Sequence, residues 1–239
     1  MNHTFTFTID GVEVRGRPGQ TIMQAADEAG IYIPRLCAHK ELVPHGSCRV
    51  CTVFVNGRPQ SACTQPAAPG IIVENETEAL LAIRRSLIDM LFVEGNHFCP
   101  FCEKSGNCEL QALAYRFGIT APQHPYLFPK RDLDASHPDI FIDRNRCILC
   151  GRCVRASRDL DGKNVFQFVG RGPGKRIAVN AKAALADTDA ARTDRAVSAC
   201  PVGAILRKRV GYAIPIGQRM YDAAPIGSDI EAVRADPHQ

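Results

Sequence analysis

Eleven of the 239 residues are cysteine, and their spacing constrains the chain more than any other feature. They fall into three groups: Cys37, Cys48, Cys51 and Cys63; then Cys99, Cys102 and Cys108; then Cys147, Cys150, Cys153 and Cys200. The number is odd, and the start, Met1-Asn2-His3-Thr4-Phe5-Thr6-Phe7, has neither the basic nor the apolar region of a secretory signal, so a disulfide framework is not expected. No run approaches the roughly 20 apolar residues of a membrane-spanning helix, and the chain reads as soluble and cytoplasmic. Metal ligation is then the leading use for the thiols.

Each group has its own chemistry. In the first, Cys48 and Cys51 lie two residues apart, so a short turn can present two thiolates to one centre while its backbone N–H groups point at the sulfurs. Gly46 and Ser47 give that turn the small residues it needs, and Cys63 returns later in the chain. In the second, three close cysteines lack a fourth donor, and His97, two positions before Cys99, is the candidate. Three thiolates and an imidazole complete a [4Fe-4S] cluster, with a higher potential than four thiolates would give, because the neutral ligand leaves the cluster less negative. Such a centre is a hole for electrons or a side branch. In the third, two consecutive spacings of two, at Cys147, Cys150 and Cys153, wrap three thiolates around a cubane, and the remote Cys200-Pro201 closes it. Ser157 stands where a two-cluster ferredoxin would carry a further cysteine, so this site takes one [4Fe-4S] cluster. A four-cysteine zinc site for the first group and a zinc knuckle for the second are the competing readings; the third spacing does not suit a zinc ribbon. The count closes with all eleven cysteines used and one histidine in the vacancy.

The formal charge of +4 invites a nucleic-acid or membrane reading, but it treats every cysteine as neutral. Three ligated clusters would together add about −5 and bring the total near −1. Arg144, Arg146, Arg152, Arg155 and Arg158 crowd the third group in sequence, where they would offset cluster charge, whereas Arg207-Lys208-Arg209 fits a solvated basic face. The glycines of Gly170-Arg171-Gly172-Pro173-Gly174-Lys175 fail the phosphate-loop spacing because Val169 stands where the first glycine should be, so this segment is expected to be a hairpin loop. There is no Gly-x-Ser-x-Gly, no dinucleotide fingerprint and no metalloprotease helix, and no catalytic residue is expected on the chain.

An α+β organisation is expected. Phe5, Phe7 and Ile9 alternate with threonines, Asp10-Gly11 turns the chain, and Val12 and Val14 continue the alternation as a hairpin. Thr21 and Gln24 form a capping box and Gly30 is placed to end the helix between. A second hairpin turns at Asn56-Gly57, with a further strand at Ile71-Ile72-Val73. A helix starting at Asn75 or Thr77 carries Leu80, Ile83, Leu87, Ile88, Leu91 and Phe92 on its core side, with Arg84, Arg85 and Asp89 mostly opposite. Cys108 to Phe117 reads as another helix, and Pro122, Pro125 and Pro129 mark a linker. From Ile140 the pattern is strand, cysteine loop, helix and hairpin, returning to Cys200. The expected units are 1–76, 77–121 and 122–210, with 211–239 as an uninformative tail.

The order hairpin, helix, ligand loop, hairpin, strand resembles the β-grasp of plant-type ferredoxins. Across most of the chain, Glu94-Gly95-Asn96-His97-Phe98-Cys99, Cys108-Glu109-Leu110-Gln111 and Cys147-Ile148-Leu149-Cys150-Gly151-Arg152-Cys153-Val154-Arg155 resemble the N-terminal part of the large iron–sulfur subunit of complex I and of [FeFe] hydrogenases. The likeness is greatest to the small diaphorase subunits of cytoplasmic NAD-reducing, bidirectional [NiFe] hydrogenases, because the chain stops shortly after Cys200. The resemblance implies a [2Fe-2S] cluster on Cys37, Cys48, Cys51 and Cys63, whose interval of ten residues matches the longer loop of the complex I and hydrogenase domains. It implies one [4Fe-4S] cluster on His97, Cys99, Cys102 and Cys108 and another on Cys147, Cys150, Cys153 and Cys200. In many of these relatives the histidine lies four positions before the first cysteine, which here is Gly95. It further implies partner subunits holding FMN, NAD(H) and a [NiFe] site, between which this chain would relay single electrons. An NAD-dependent formate dehydrogenase or a complex I-like module shares the wiring, and a zinc-stabilised binding scaffold is the reading from another class.

Overall fold

The structure, a computed structural model, describes residues 4–127 and 130–235. Met1, Asn2, His3 and Pro129 of the expected start and linker lie outside the described residues.

Strands β1 (Phe5–Ile9) and β2 (Val12–Gly16) form the expected hairpin. Asp10 and Gly11 both take positive φ, the type I′ geometry whose twist matches the flanking strands. Helix α1 (Ile22–Glu28) opens on the reciprocal Thr21–Gln24 box. It closes at Gly30, where Ile31 N–H donates to Ala26 O at 2.8 Å and Gly30 N–H to Asp27 O at 3.2 Å, a Schellman motif that needs the left-handed glycine. Strands β3 (Thr52–Val55) and β4 (Arg58–Ser61) turn at Asn56-Gly57, and β5 (Ile72–Glu74) lies parallel to β1. The sheet order is β2-β1-β5-β3-β4, and Phe7, Ile9, Val14, Val53 and Val73 pack with Ile22 and Ala26 of α1 as a core under one face.

Helix α2 (Glu78–Val93) is capped by the Thr77 hydroxyl and α3 (Glu109–Arg116) starts directly after Cys108. The chain then forms β6 (Leu133–Asp134), β7 (Ile140–Asp143) and α4 (Arg152–Asp159). The hairpin β8 (Phe166–Val169) and β9 (Arg176–Val179) encloses the glycine-rich loop, as expected. A short helix α5 (Arg195–Ser198) leads to β10 (Ile205–Arg207), which pairs with β7 in a sheet of order β10-β7-β6. One apolar core runs through all of this: Leu36, Leu42 and Val50 join Ile88, Leu110 and Leu113, and these join Ile140, Ile142, Phe166, Val202 and Ile205.

The core side of α2 differs from expectation. Arg84 is only 1% exposed and Asp89 3%, while Ile83 is 38% exposed. Leu80, Arg84 and Ile88 repeat at four-residue spacing and therefore share a face, so a polar residue entered the buried stripe. It is tolerated because both terminal nitrogens are bonded: Nη1 donates to Asn75 O and Nη2 to Asn75 Oδ1, both at 2.7 Å, and Nη2 also to Thr52 O at 2.9 Å, while Nε is buried without a partner. Asp89 accepts from the backbone N–H groups of Gln123 and His124 and pairs with the His124 ring. It thereby ties the proline-marked segment to the helix.

The tail is also ordered against the rest. It forms α6 (Met220–Ala223) and α7 (Ser228–Ala235). Gly227 lies against the Tyr32 ring, where a Cβ would come within 2.4 Å, and Arg116 reaches Ile226 O at 2.8 Å and pairs with Glu231. Among the described residues no helix is long and apolar enough to cross a membrane.

Candidate cluster sites

The first site is built by the loop between α1 and β3 together with the end of β4. Cys37, Cys51 and Cys63 are buried and Cys48 is half-buried. The Cys37 sulfur accepts thiol hydrogen bonds from Cys48 and Cys63, which hold its pKa far below the usual thiol range. Donation to Cys37 and Cys51 pushes the Cys63 thiol up. The contacts thus run from Cys48 to Cys37 to Cys63 to Cys51, bringing all four sulfurs into one site. Cys37 N–H points at Cys48 Sγ at 3.4 Å. Arg49 is held left-handed inside the Cys48–Cys51 turn, and its guanidinium bonds the Ser61 hydroxyl.

In the second site a single 3₁₀ turn, Cys99–Phe101, separates the first two cysteines, and Cys108 stands at the head of α3. Burial pushes the Cys108 thiol up to about 12, although the amides of Gln111 and Leu110 at the helix start face its sulfur. His97 is half-buried, and desolvation of its ring lowers its pKa to about 4 with help from the nearby Arg146. Its ring is neutral at physiological pH, and Nε2 is buried without a hydrogen-bond partner. An orphaned, desolvated imidazole nitrogen is costly unless a further group takes it. A Cβ on Gly95 would lie 2.6 Å from Nε2, so the ring reaches back to the position whose side chain is absent.

The third site is an apolar chamber. Cys147, Cys150, Cys153 and Cys200 line it with Ile142, Ile148, Ile177, Val202 and Ile205. Desolvation pushes Cys147 up to about 11 and Cys150 up to about 12. Leu149 and Gly151 take positive φ within the ligand loop, and Leu149 N–H points at Cys147 Sγ at 3.4 Å. The thiols of Cys147, Cys150 and Cys153, pushed up by burial in this chamber, need a cationic core to draw off their protons.

The arginines expected around the third group do not all attend it. Arg158 is at the surface with Asp159 and Arg144 donates to Ile177 O at 2.7 Å. Arg146 turns to the second site, placing Nη1 3.6 Å from Cys102 Sγ and pairing with Glu103 and Asp143. Arg152 spans all three units: it holds Glu109 through Nη1 at 2.6 Å and Nη2 at 2.7 Å, and donates to Ala38 O at 2.7 Å. Arg155 donates to Cys37 O at 2.7 Å, Val43 O at 2.6 Å and Cys150 O at 3.3 Å. A Cβ on Gly203 would lie 2.6 Å from Cys102 Sγ, and Glu109 N–H donates to Pro201 O at 2.9 Å. The third group therefore abuts the first on one side and the second on the other. Sequence reasoning missed these bridges, since each joins residues dozens of positions apart; the one local signal was that Ala38, Glu109 and Arg152 each neighbour a cysteine.

Family models match in the same three places. Residues 2–78 match a 2Fe-2S iron–sulfur cluster binding domain, 84–123 the iron–sulfur binding region of NADH-ubiquinone oxidoreductase G, and 140–206 a 4Fe-4S single cluster domain. Fold and donor sets together define an iron–sulfur protein with one [2Fe-2S] domain and two [4Fe-4S] regions. The chain is 44% identical over 229 residues to the NAD-reducing hydrogenase HoxS subunit gamma of Cupriavidus necator, covering 95% of this chain and 94% of that one. It belongs to that family of hydrogenase gamma subunits. It is also 33% identical over 209 residues to the 78 kDa subunit of mitochondrial NADH-ubiquinone oxidoreductase from Candida albicans, of which the match covers 29%. A solved chain of an NAD+-reducing [NiFe]-hydrogenase in its H2-reduced state superposes with a TM-score of 0.92 at 50% identity, over 96% of this chain and 98% of that one.

Proposed function

We propose that this chain relays single electrons between a subunit holding FMN and NAD(H) and a [NiFe] hydrogenase module, in either direction, within a soluble cytoplasmic complex. The assigned ligands are Cys37, Cys48, Cys51 and Cys63 for [2Fe-2S], His97, Cys99, Cys102 and Cys108 for one [4Fe-4S], and Cys147, Cys150, Cys153 and Cys200 for the other. The units take residues 1–76, 77–121 and 122–210, with 211–239 as the tail. When bound, the clusters supply one-electron storage, which a hydride carrier lacks. The protein supplies ligand identity, N–H groups aimed at sulfur, and burial.

The observation that carries this reading is the adjacency of the three sites in the order first, third, second, with the third pressed between its neighbours. That order supports a throughway from the first site through the third to the second. The relatives named for NAD-reducing hydrogenase favour nickel chemistry in the partner over the molybdenum or tungsten of a formate dehydrogenase, and metal analysis of the purified complex separates the two. Anaerobically prepared protein is expected to hold about ten iron and ten sulfide per chain and to show three paramagnetic centres on stepwise reduction. A colourless, zinc-bearing chain, or fewer than three centres, refutes the proposal.

Gly95 provides a sharper test of the histidine ligand. Its missing side chain leaves the space that His97 Nε2 approaches, and Asn145 O lies 2.9 Å from the same point. The Gly95→Ala substitution is expected to displace the imidazole and abolish or convert one [4Fe-4S] signal while the other two centres persist, as His97→Ala should also do. Three unaltered spectra in both variants would remove His97 from the ligand set.

A further inference from the structure

Three guanidinium groups reach from the third unit into its neighbours, and they differ in what balances their charge. Arg146 pairs with Glu103 and Asp143, and Arg152 with Glu109. Arg155 is as buried as Arg144 and Cys150, yet among the described residues no carboxylate pairs with it; its donors go to the carbonyls of Cys37, Val43, Cys150 and Gly151. A buried cation without a counter-charge is strongly unfavourable. Carbonyl dipoles satisfy its hydrogen bonds but carry no net charge. What lies around it instead is sulfur: Cys37 on one side, Cys150 and Cys153 on the other, each interacting favourably with the guanidinium. A single nitrogen, Nη2, donates both to the carbonyl of a first-site cysteine and to that of a third-site cysteine.

We propose that Arg155 is a positioning residue shared by the first and third centres, whose one positive charge stabilises the reduced form of both and so raises their potentials together. The inference rests on the ligand assignment above. Each centre gains one electron and becomes more negative on reduction, the electron coming from the titrant, and the arginine keeps its proton throughout. A cation that contacts a ligand residue of both centres favours each reduced state. Its hydrogen bonds reach no residue of the second site, where Arg146 is the guanidinium beside Cys102. Arg84 is a useful contrast, being buried without a paired carboxylate but donating to Asn75 and to Thr52 O beside Cys51, and so reaching the first site alone.

The test is a redox titration of the intact complex followed by electron paramagnetic resonance, comparing Arg155→Gln, Arg155→Lys and wild type, with iron content measured for each. With full iron, Arg155→Gln is expected to lower the midpoint potentials of the [2Fe-2S] centre and of one [4Fe-4S] centre together and to leave the other [4Fe-4S] centre unmoved. Arg155→Lys keeps the charge and is expected to hold both potentials at wild-type values. Unmoved potentials in an iron-replete Gln variant, or lowered ones in the Lys variant, overturn the proposal. If Arg155→Gln loses iron, the Lys variant decides. Loss of iron from both variants also overturns it, in favour of a purely structural clamp. Failure of the three-cluster reading itself would appear separately, as missing centres in the wild type.

Discussion

Replacing Cys200 by alanine is expected to remove about four of the ten iron atoms per chain and to cut hydrogen-driven NAD reduction at least about ten-fold, which corresponds to ~1.4 kcal/mol on the limiting barrier. Cys200 is the remote closing residue of the third site, buried in the apolar chamber with its sulfur 3.2 Å from Val202 O. Nothing else in that chamber can substitute, since its other lining side chains are the remaining three thiols and aliphatic groups. The consequence for throughput follows from position. The first and second groups each contact the third, so its loss opens a gap between the other two. Iron analysis and the coupled assay should fall together. A variant that loses four iron atoms and still reduces NAD at the wild-type rate would show that the third site is not on the path.

The second large effect concerns stability. Arg152 is buried, and its guanidinium holds Glu109 of the second unit and Ala38 O of the first. Removing one partner of a buried pair leaves the other charge unpaired and costs about 3–5 kcal/mol. Glu109 keeps partial access to solvent, so the lower end, about 3 kcal/mol, is the expectation for Arg152→Met. For a chain of this size that is a fall of about 6–12 °C in the thermal midpoint. Cluster proteins unfold irreversibly as the metal departs, so the comparison is made at one scan rate, with iron release followed in parallel. A midpoint within a degree of wild type would show that the three units are held by their shared apolar core alone.

The parts of this fold that could be read in the chain are those decided over a few residues. Asp10-Gly11 and Asn56-Gly57 became left-handed hairpin turns, because few other pairs tolerate two positive φ angles in a row. The Thr21–Gln24 box formed as expected, since its four atoms lie within one helical turn. Arg84 shows where local reading slips. Arginine is polar by type, but its four-residue spacing from Leu80 and Ile88 put it on the buried face, and only Asn75 and Thr52, distant in space until the chain folds, could satisfy it there.

Cysteine spacing by itself sorted the thiols into three groups and pointed to metal ligation, because ligand geometry at short intervals is set by the reach of a few peptide units. Only the tertiary structure decided which groups are neighbours. Nothing along the chain says that the third group in sequence is the middle one in space, that Arg152 and Arg155 link units instead of screening their own, or that His97 reaches back to the space beside Gly95. Those facts depend on how separately formed segments pack, and packing is settled by apolar burial shared among residues far apart in the chain, not by the local backbone preferences that made the segments legible.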